Sequence, residues 1–379
     1  MQQLTKVALT ITTTSALLLT SQNPAIADQR RDEQWHLRYL NILAAHRISQ
    51  GEGITVAVPD SGVDPHPDLR LNLLPGTDII PGGSGDGRQD SDGHGTGMAG
   101  LIAAHGQIGN SGALGVAPQA KILPIFDSPP HKDGATDDLA AGIEYATAHH
   151  ADVISVSSIA GASVRLQQAV RAALNANIVV VAGAGNKPSE SVVGYPASEP
   201  RVLAVGGIDP DGTHASISVS GPEIDVVAPA VDIYSTSING KYRKGTGTSD
   251  ATAIVAGAVA LIRSKYPDLP ASEVVHRLTA TAVDKGPPGR DDEYGYGVID
   301  LVAALTADVP PIGFESATAT APSSPGATGV AAQPAGGDGD RNATVRGLAT
   351  LGVIVAAGGG YLLWRRRRRA DDPPPRISR

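Results

Sequence analysis

Three residues of the kinds that cleave acyl bonds stand far apart in the chain: Asp60 in "PDSGVDPHPDL", His94 in "DSDGHGTGMAG" and Ser249 in "GTGTSDATAIVAG". A serine hydroxyl is a weak nucleophile at neutral pH and needs a base within hydrogen-bond reach. That base is normally a histidine whose other ring nitrogen is held by a carboxylate. Asn186, in "VVVAGAGNKP", is a side-chain donor suited to a developing oxyanion, alongside the backbone N–H of Ser249. Each residue alone has a plainer reading. An aspartate after a strand makes a turn, a histidine between glycines lines a loop, an asparagine before Lys-Pro starts a turn and a serine before a helix caps it. The chemistry requires that all four converge.

Convergence requires elements that end at one place. Short β-rich runs begin at Ile54 (ITVAVP), Lys121 (KILPIF), Asp152 (DVISVS), Asn177 (NIVVVAG) and Arg201 (RVLAVGG). Helical runs are predicted between them at Thr96–His105, Thr136–His149 and Ser163–Asn175, and after them at Ser249–Lys265. Strand and helix in alternation predict a three-layer α/β fold with a mostly parallel central sheet covered on both faces. Active sites of such sheets gather at the carboxyl ends of the strands. Asp60 and Asn186 follow strands, while His94 and Ser249 open helices, so all four can face one crevice.

Composition fits this scaffold. Aromatics are only 3% of the 379 residues, so the core must be built from Ala, Val, Ile and Leu. A formal charge of -8, with the one dense basic run at Arg365–Arg369, argues against nucleic acid as a partner. There are no cysteines, which excludes disulfides, thiolate metal sites and thiol nucleophiles. The ends carry signals of another kind. Lys6, the apolar "VALTITTTSALLLT" and Ala25-Ile26-Ala27 form a signal-peptide pattern over 1–27. Residues 347–364, "GLATLGVIVAAGGGYLLW", are uncharged and precede "RRRRR", as a stop-transfer helix does, with 365–379 as a basic cytoplasmic tail. Between them 308–346 is a Pro/Ala/Gly-rich tether. The expected placement is a single-pass protein of the cell membrane with its folded region, 28–307, outside.

The motifs "DSG", "HGTGMAG", "AGAGN" and "GTSDATAIVAG", in that order, resemble those of the subtilisin-like serine proteases over nearly all of 51–307. The resemblance implies a subtilisin-like fold in which Asp60 orients the histidine, His94 is general base and then acid, Ser249 forms the acyl-enzyme and Asn186 lines the oxyanion hole. The flanks narrow it to the mycosins, membrane-anchored subtilases associated with type VII secretion systems. Residues 28–50 are then an N-terminal extension that wraps the catalytic domain, with Trp35 as a packing anchor, and not an inhibitory propeptide. The partners implied are protein or peptide substrates, the membrane and type VII secretion membrane components. A largely structural role in stabilising the secretion complex, with weak or no proteolysis, is the alternative.

The chain departs from the family pattern at several places. Pro59 replaces the usual aliphatic residue before Asp60. The substrate-strand motif reads "SSIAG", so Ser157, Ser158 and Gly161 are the substrate-binding candidates. Asp250 follows the nucleophile where an apolar residue is usual, and Ala253 stands in place of a proline. An ionised Asp250 about 5–6 Å from the oxyanion would oppose it by roughly 3 kcal/mol at an effective dielectric of about 20. The helix N-terminus returns only ~0.3–1 kcal/mol. Asp250 is therefore a candidate modulator, expected to pair with Arg243 or Lys244. Catalysis of this kind needs no cofactor. "DPHPDL" and "DGRQDSDG" hold oxygen ligands for calcium but lack the spacing of a dedicated loop, so no metal ligand is assigned.

Overall fold

The structure, a computed structural model, describes residues 30–80, 82–107, 111–129 and 135–313. All lie in the first of two compact units, Met1–Glu315. The expected signal peptide, the tether beyond 313, the membrane helix at 347–364 and the basic tail lie outside the described residues. Among the described residues no helix is long and apolar enough to cross a membrane.

A seven-stranded parallel sheet forms the centre, in the order β2 (Thr77–Asp78), β5 (Lys121–Phe126), β1 (Thr55–Asp60), β6 (Val153–Val156), β7 (Val179–Gly183), β8 (Leu203–Ile208) and β9 (Val226–Pro229). Its strands are Val, Ile and Ala runs buried along their length, as expected where both faces of a sheet are covered. β1 lies between β5, aligned Asp60 to Phe126, and β6, aligned Ala57 to Ile154. The chain thus leaves β1 to one side and later returns on the other. This topological switch point opens a crevice at the carboxyl end of β1, where Asp60 stands.

Two helix pairs pack on the sheet: α3 (His94–Ala103) with α6 (Thr248–Lys265), and α4 (Thr136–Ala148) with α5 (Val164–Asn175). Ser163 caps α5 through the N–H of Leu166, and Asp137 and Asp138 favour the first turn of α4. α6 is buried on nearly every side by Ala, Val, Ile and Gly, the composition of a helix inside a core. α7 (Ala271–Ala280) and α8 (Leu301–Thr306) complete the layer beside it.

Two smaller ribbons lie outside the main sheet: β3 (His105–Gln107) with β4 (Ser111–Leu114), and the hairpin β10 (Ile233–Thr236) with β11 (Tyr242–Gly245). The hairpin is pinned to α3, since Ser235 Oγ donates to the Gly97 carbonyl and Thr236 Oγ1 to that of Thr96, both at 2.7 Å. The N-terminal segment is laid against these pieces, as the resemblance implies. Gln34 exchanges two amide hydrogen bonds with the Leu114 main chain. Trp35 donates its indole N–H to the Val231 carbonyl at 3.0 Å. The short helices α1 (Trp35–Tyr39) and α2 (Ile42–Ala45) follow, and α2 packs on α8.

Candidate active site

Asp60 is buried at the end of β1, and both its carboxylate oxygens face His94 Nδ1, at 2.7 and 2.9 Å. Burial disfavours the carboxylate, but the imidazole and the Ser61 N–H, which donates to Oδ1 at 2.7 Å, outweigh it and hold Asp60 below its usual range. Reciprocally, the Asp60 charge raises the pKa of His94 against the cost of burial. An imidazole so placed is fixed in orientation and stabilised as imidazolium, as a general base requires.

The turn before His94 explains why this contact is reproducible. Gly93 is left-handed at φ 88°, and a Cβ on Gly95 would lie 2.1 Å from the Gly62 carbonyl. Only glycine lets the start of α3 sit this close to the loop after β1. Asp90, which the motif analysis did not single out, closes the turn. Its Oδ1 accepts from Ser61 Oγ and from the N–H groups of Asp92 and Gly93, and its Oδ2 accepts from the N–H and hydroxyl of Thr96. Ser61 Oγ in turn accepts from the Gly95 N–H. The helix begins at His94 and not at Thr96, because this carboxylate satisfies N–H groups that the sequence leaves without an evident partner.

Ser249 stands in the first turn of α6 and does not act as its cap, a position held by Gly247. Its hydroxyl donates to the Ser157 carbonyl at 3.0 Å, while Ser157 Oγ donates to the Ser249 carbonyl at 3.4 Å. The Ser249 hydroxyl is thus engaged by the Ser157 carbonyl and is not hydrogen-bonded to His94, and it must be redirected to the imidazole before it can be deprotonated. Asn186 accepts from the Thr248 N–H at 2.9 Å through Oδ1, which leaves its amide N–H groups to donate. Glu190 holds the Asn186 backbone N–H at 2.8 Å and is a second positioning residue that the motifs did not reveal.

A cleft of about 580 Å³ has Asp60, His94, Ser157, Ser158, Ile159 and Asn186 along its walls; Ser249, bonded to the Ser157 carbonyl, is not itself among the lining residues. Of the substrate-binding candidates Ser157 and Ser158 line the cleft, while Gly161 is exposed and not among the lining residues. Ile159 lines the cleft beside them. Its side chain lies where a Cβ on Gly194 would come within 2.5 Å, and Ala160 bonds to the Tyr195 carbonyl at 3.0 Å. One wall is therefore narrowed by a branched side chain. Beside Asp60, buried Asp127 donates its N–H to the Asp60 carbonyl, and burial together with the Asp60 charge raises its pKa well above the usual value.

Asp250 is enclosed behind Ser249 and pairs with Arg243 at 3.7 Å; Lys244, the other candidate partner, is exposed. Burial pushes the Asp250 carboxyl up to about 6, against the pull of Arg243 and His94. Among the described residues no cluster of three or more His, Cys, Asp or Glu side chains could hold a metal ion.

Comparison with known proteins places this geometry. The Subtilase family matches residues 51–297. Subtilisin DY of Bacillus licheniformis is 40% identical over 67% of this chain and 92% of its own. Mycosin-1 of Mycobacterium tuberculosis is 35% identical over 74% of each chain. The crystal structure of MycP1 from the ESX-1 type VII secretion system superposes with a TM-score of 0.65 at 31% identity, covering 73% of this chain and 86% of that one.

Proposed function

The chain belongs to the subtilase family and is a subtilisin-like serine protease related to the mycosins of type VII secretion, and from that premise we propose that it is a membrane-anchored, extracytoplasmic endopeptidase acting on proteins of such a pathway. The observation that carries the catalytic part is the part-buried Asp60–His94 contact at 2.7 Å, with Asn186 on the same cleft. In the reaction Ser249 Oγ, its proton passing to His94 Nε2, attacks the scissile carbonyl. The oxyanion is received by the Ser249 N–H and the Asn186 amide, and His94 returns the proton to the leaving amine. The acyl-enzyme is then cleaved by water activated in the same way. Apart from Asp60, which orients and compensates the imidazolium, the side chains only move one proton and hold one charge.

The anchor and the outward placement rest on the sequence patterns at 1–27 and 347–364. The structural reading is favoured by one feature, the Ser249 hydroxyl turned to the Ser157 carbonyl. A membrane-impermeant fluorophosphonate applied to intact cells separates these readings. Labelling of the wild type that vanishes in Ser249→Ala supports an activated nucleophile on the outer side. Labelling only after lysis overturns the placement. A folded wild type that is never labelled overturns the catalytic role and brings the structural one forward.

A further inference from the structure

Asp250 and Arg243 share an enclosure shaped for them by two glycines from different elements. A Cβ on Gly97 of α3 would lie 2.6 Å from Arg243 Nη1, and one on Gly245 of β11 would lie 2.5 Å from Arg243 Nη2 and 2.7 Å from Asp250 Oδ2. Asp250 is 2% exposed, and neither Arg243 Nη1 nor Asp250 Oδ1 has a hydrogen-bond partner. Charge, and not a bidentate fork, therefore relates the two groups at 3.7 Å. Removing Arg243 would leave the Asp250 carboxylate uncompensated where water hardly reaches, and removing Asp250 would leave an unpaired guanidinium that is 25% exposed. The hairpin that carries Arg243 is also fastened on its far side. Tyr242 donates to buried Asp68 at 2.9 Å and accepts from Arg30 at 3.1 Å, and the Arg30 guanidinium lies 4.3 Å over its ring.

Resting on the protease reading above, we propose that Arg243 and Asp250 form a positioning pair that keeps the region behind Ser249 and His94 electrically neutral, so that neither the oxyanion nor the imidazolium is disfavoured. The two transition-state charges make opposing demands. A lone carboxylate behind Ser249 would support the imidazolium and repel the oxyanion. A lone guanidinium would do the reverse. Only both together leave the two transition-state charges to the groups that face them directly. The charged groups around Asp250 are Arg243 of β11 and His94 of α3; those around His94 are Asp60 of β1, Arg243 and Asp250. The directions agree, since Asp250 raises the pKa of His94 while Arg243 lowers it.

The test is the pH profile of the second-order rate of fluorophosphonate inactivation for the full-length wild type, Arg243→Gln, Asp250→Asn and the double variant, each corrected for its folded fraction. Arg243→Gln should lower the rate at pH 8 by roughly tenfold or more, and the deficit should grow as Asp250 ionises. Asp250→Asn should move the acid limb to lower pH, because His94 keeps the guanidinium and loses the carboxylate. The double variant should return both limb and rate towards wild type. Should Arg243→Gln not fold, Arg243→Lys retains the charge and is expected to keep the wild-type limb, whereas a displaced limb there contradicts the proposal. Single variants whose profiles superimpose on wild type, or losses that simply add in the double variant, overturn it. A folded wild type that does not react at all overturns the protease reading with it, so the two failures are distinguishable.

Discussion

The two sides of the cleft solve the same problem by different means. On the His94 side order comes from hydrogen bonds: Asp60, Ser61, Asp90 and Thr96 form a closed set in which one carboxylate, that of Asp90, accepts from Ser61, Asp92, Gly93 and Thr96. On the Ser249 side hydrogen bonds hold Asn186 to Thr248 and Glu190, but the acid behind the nucleophile is held by shape and charge balance. The nucleophile points to a main-chain carbonyl, and the acid behind it faces a guanidinium without a hydrogen bond. The first arrangement fixes geometry, because hydrogen bonds are directional. The second fixes potential, which depends on distance far more than on angle. The base is thus positioned by direction and the surroundings of the nucleophile by charge.

This contrast can be broken most sharply at Asn186. Asn186→Leu removes an oxyanion donor from the nucleophile side and should lower kcat by about 10²–10³ with little change in KM. Steady-state kinetics on a peptide substrate would decide it, and a loss confined to KM would assign Asn186 to substrate binding instead. On the His94 side Asp90→Ala removes no reacting group. It should cost about 1–3 kcal/mol of stability by leaving buried donors unpaired, read as a lower urea midpoint at unchanged m-value. An unchanged midpoint would mean that the closed set is ornamental.

A further effect lies outside the cleft, in the N-terminal segment, where His36 is fully buried, has no partner for either ring nitrogen, and is lowered by burial to about 3. Below its ordinary value of 6.5 the unfolded chain takes up a proton that the folded chain refuses. Stability held above that pH is therefore lost as pH falls, by about 1.4 kcal/mol per unit until pH nears the folded value. His36→Leu should remove this slope, so its advantage in urea melts should widen from pH 7 to pH 4.5. A constant offset would show that His36 is already charged in the fold.

Much of this was legible in the sequence where local pattern and tertiary demand coincide. "KILPIF" is β5 to the residue, and Thr136–His149 and Ser163–Asn175 differ from their helices by one residue at one end. The alternation of strand and helix sufficed to bring Asp60 and His94 to one crevice. What the pattern hid was held by distant partners. "YRKG" has no apolar alternation, and it becomes β11 because Tyr242 is gripped by Asp68 and Arg30 from remote parts of the chain. Asp90 reads as one more acid in a polar loop until its acceptors meet the start of α3. Arg243 was chosen over Lys244 by Gly97, a residue about 150 positions earlier whose missing side chain admits the guanidinium. Ile159 became a wall of the cleft through Gly194, a contact that no local pattern announces.

The N-terminal segment gives the domain a property unlike anything in its chemistry. With α2 seated on α8, Ser49 bonded to the Leu261 carbonyl and Trp35 to that of Val231, the first described residues are buckled to some of the last. Among the described residues, the N-terminal segment and the last helix therefore hold each other in place. Tension applied at one end would be shared across the seam as shear, and a processing protease seeking a frayed terminus would first have to wait for the buckle to open.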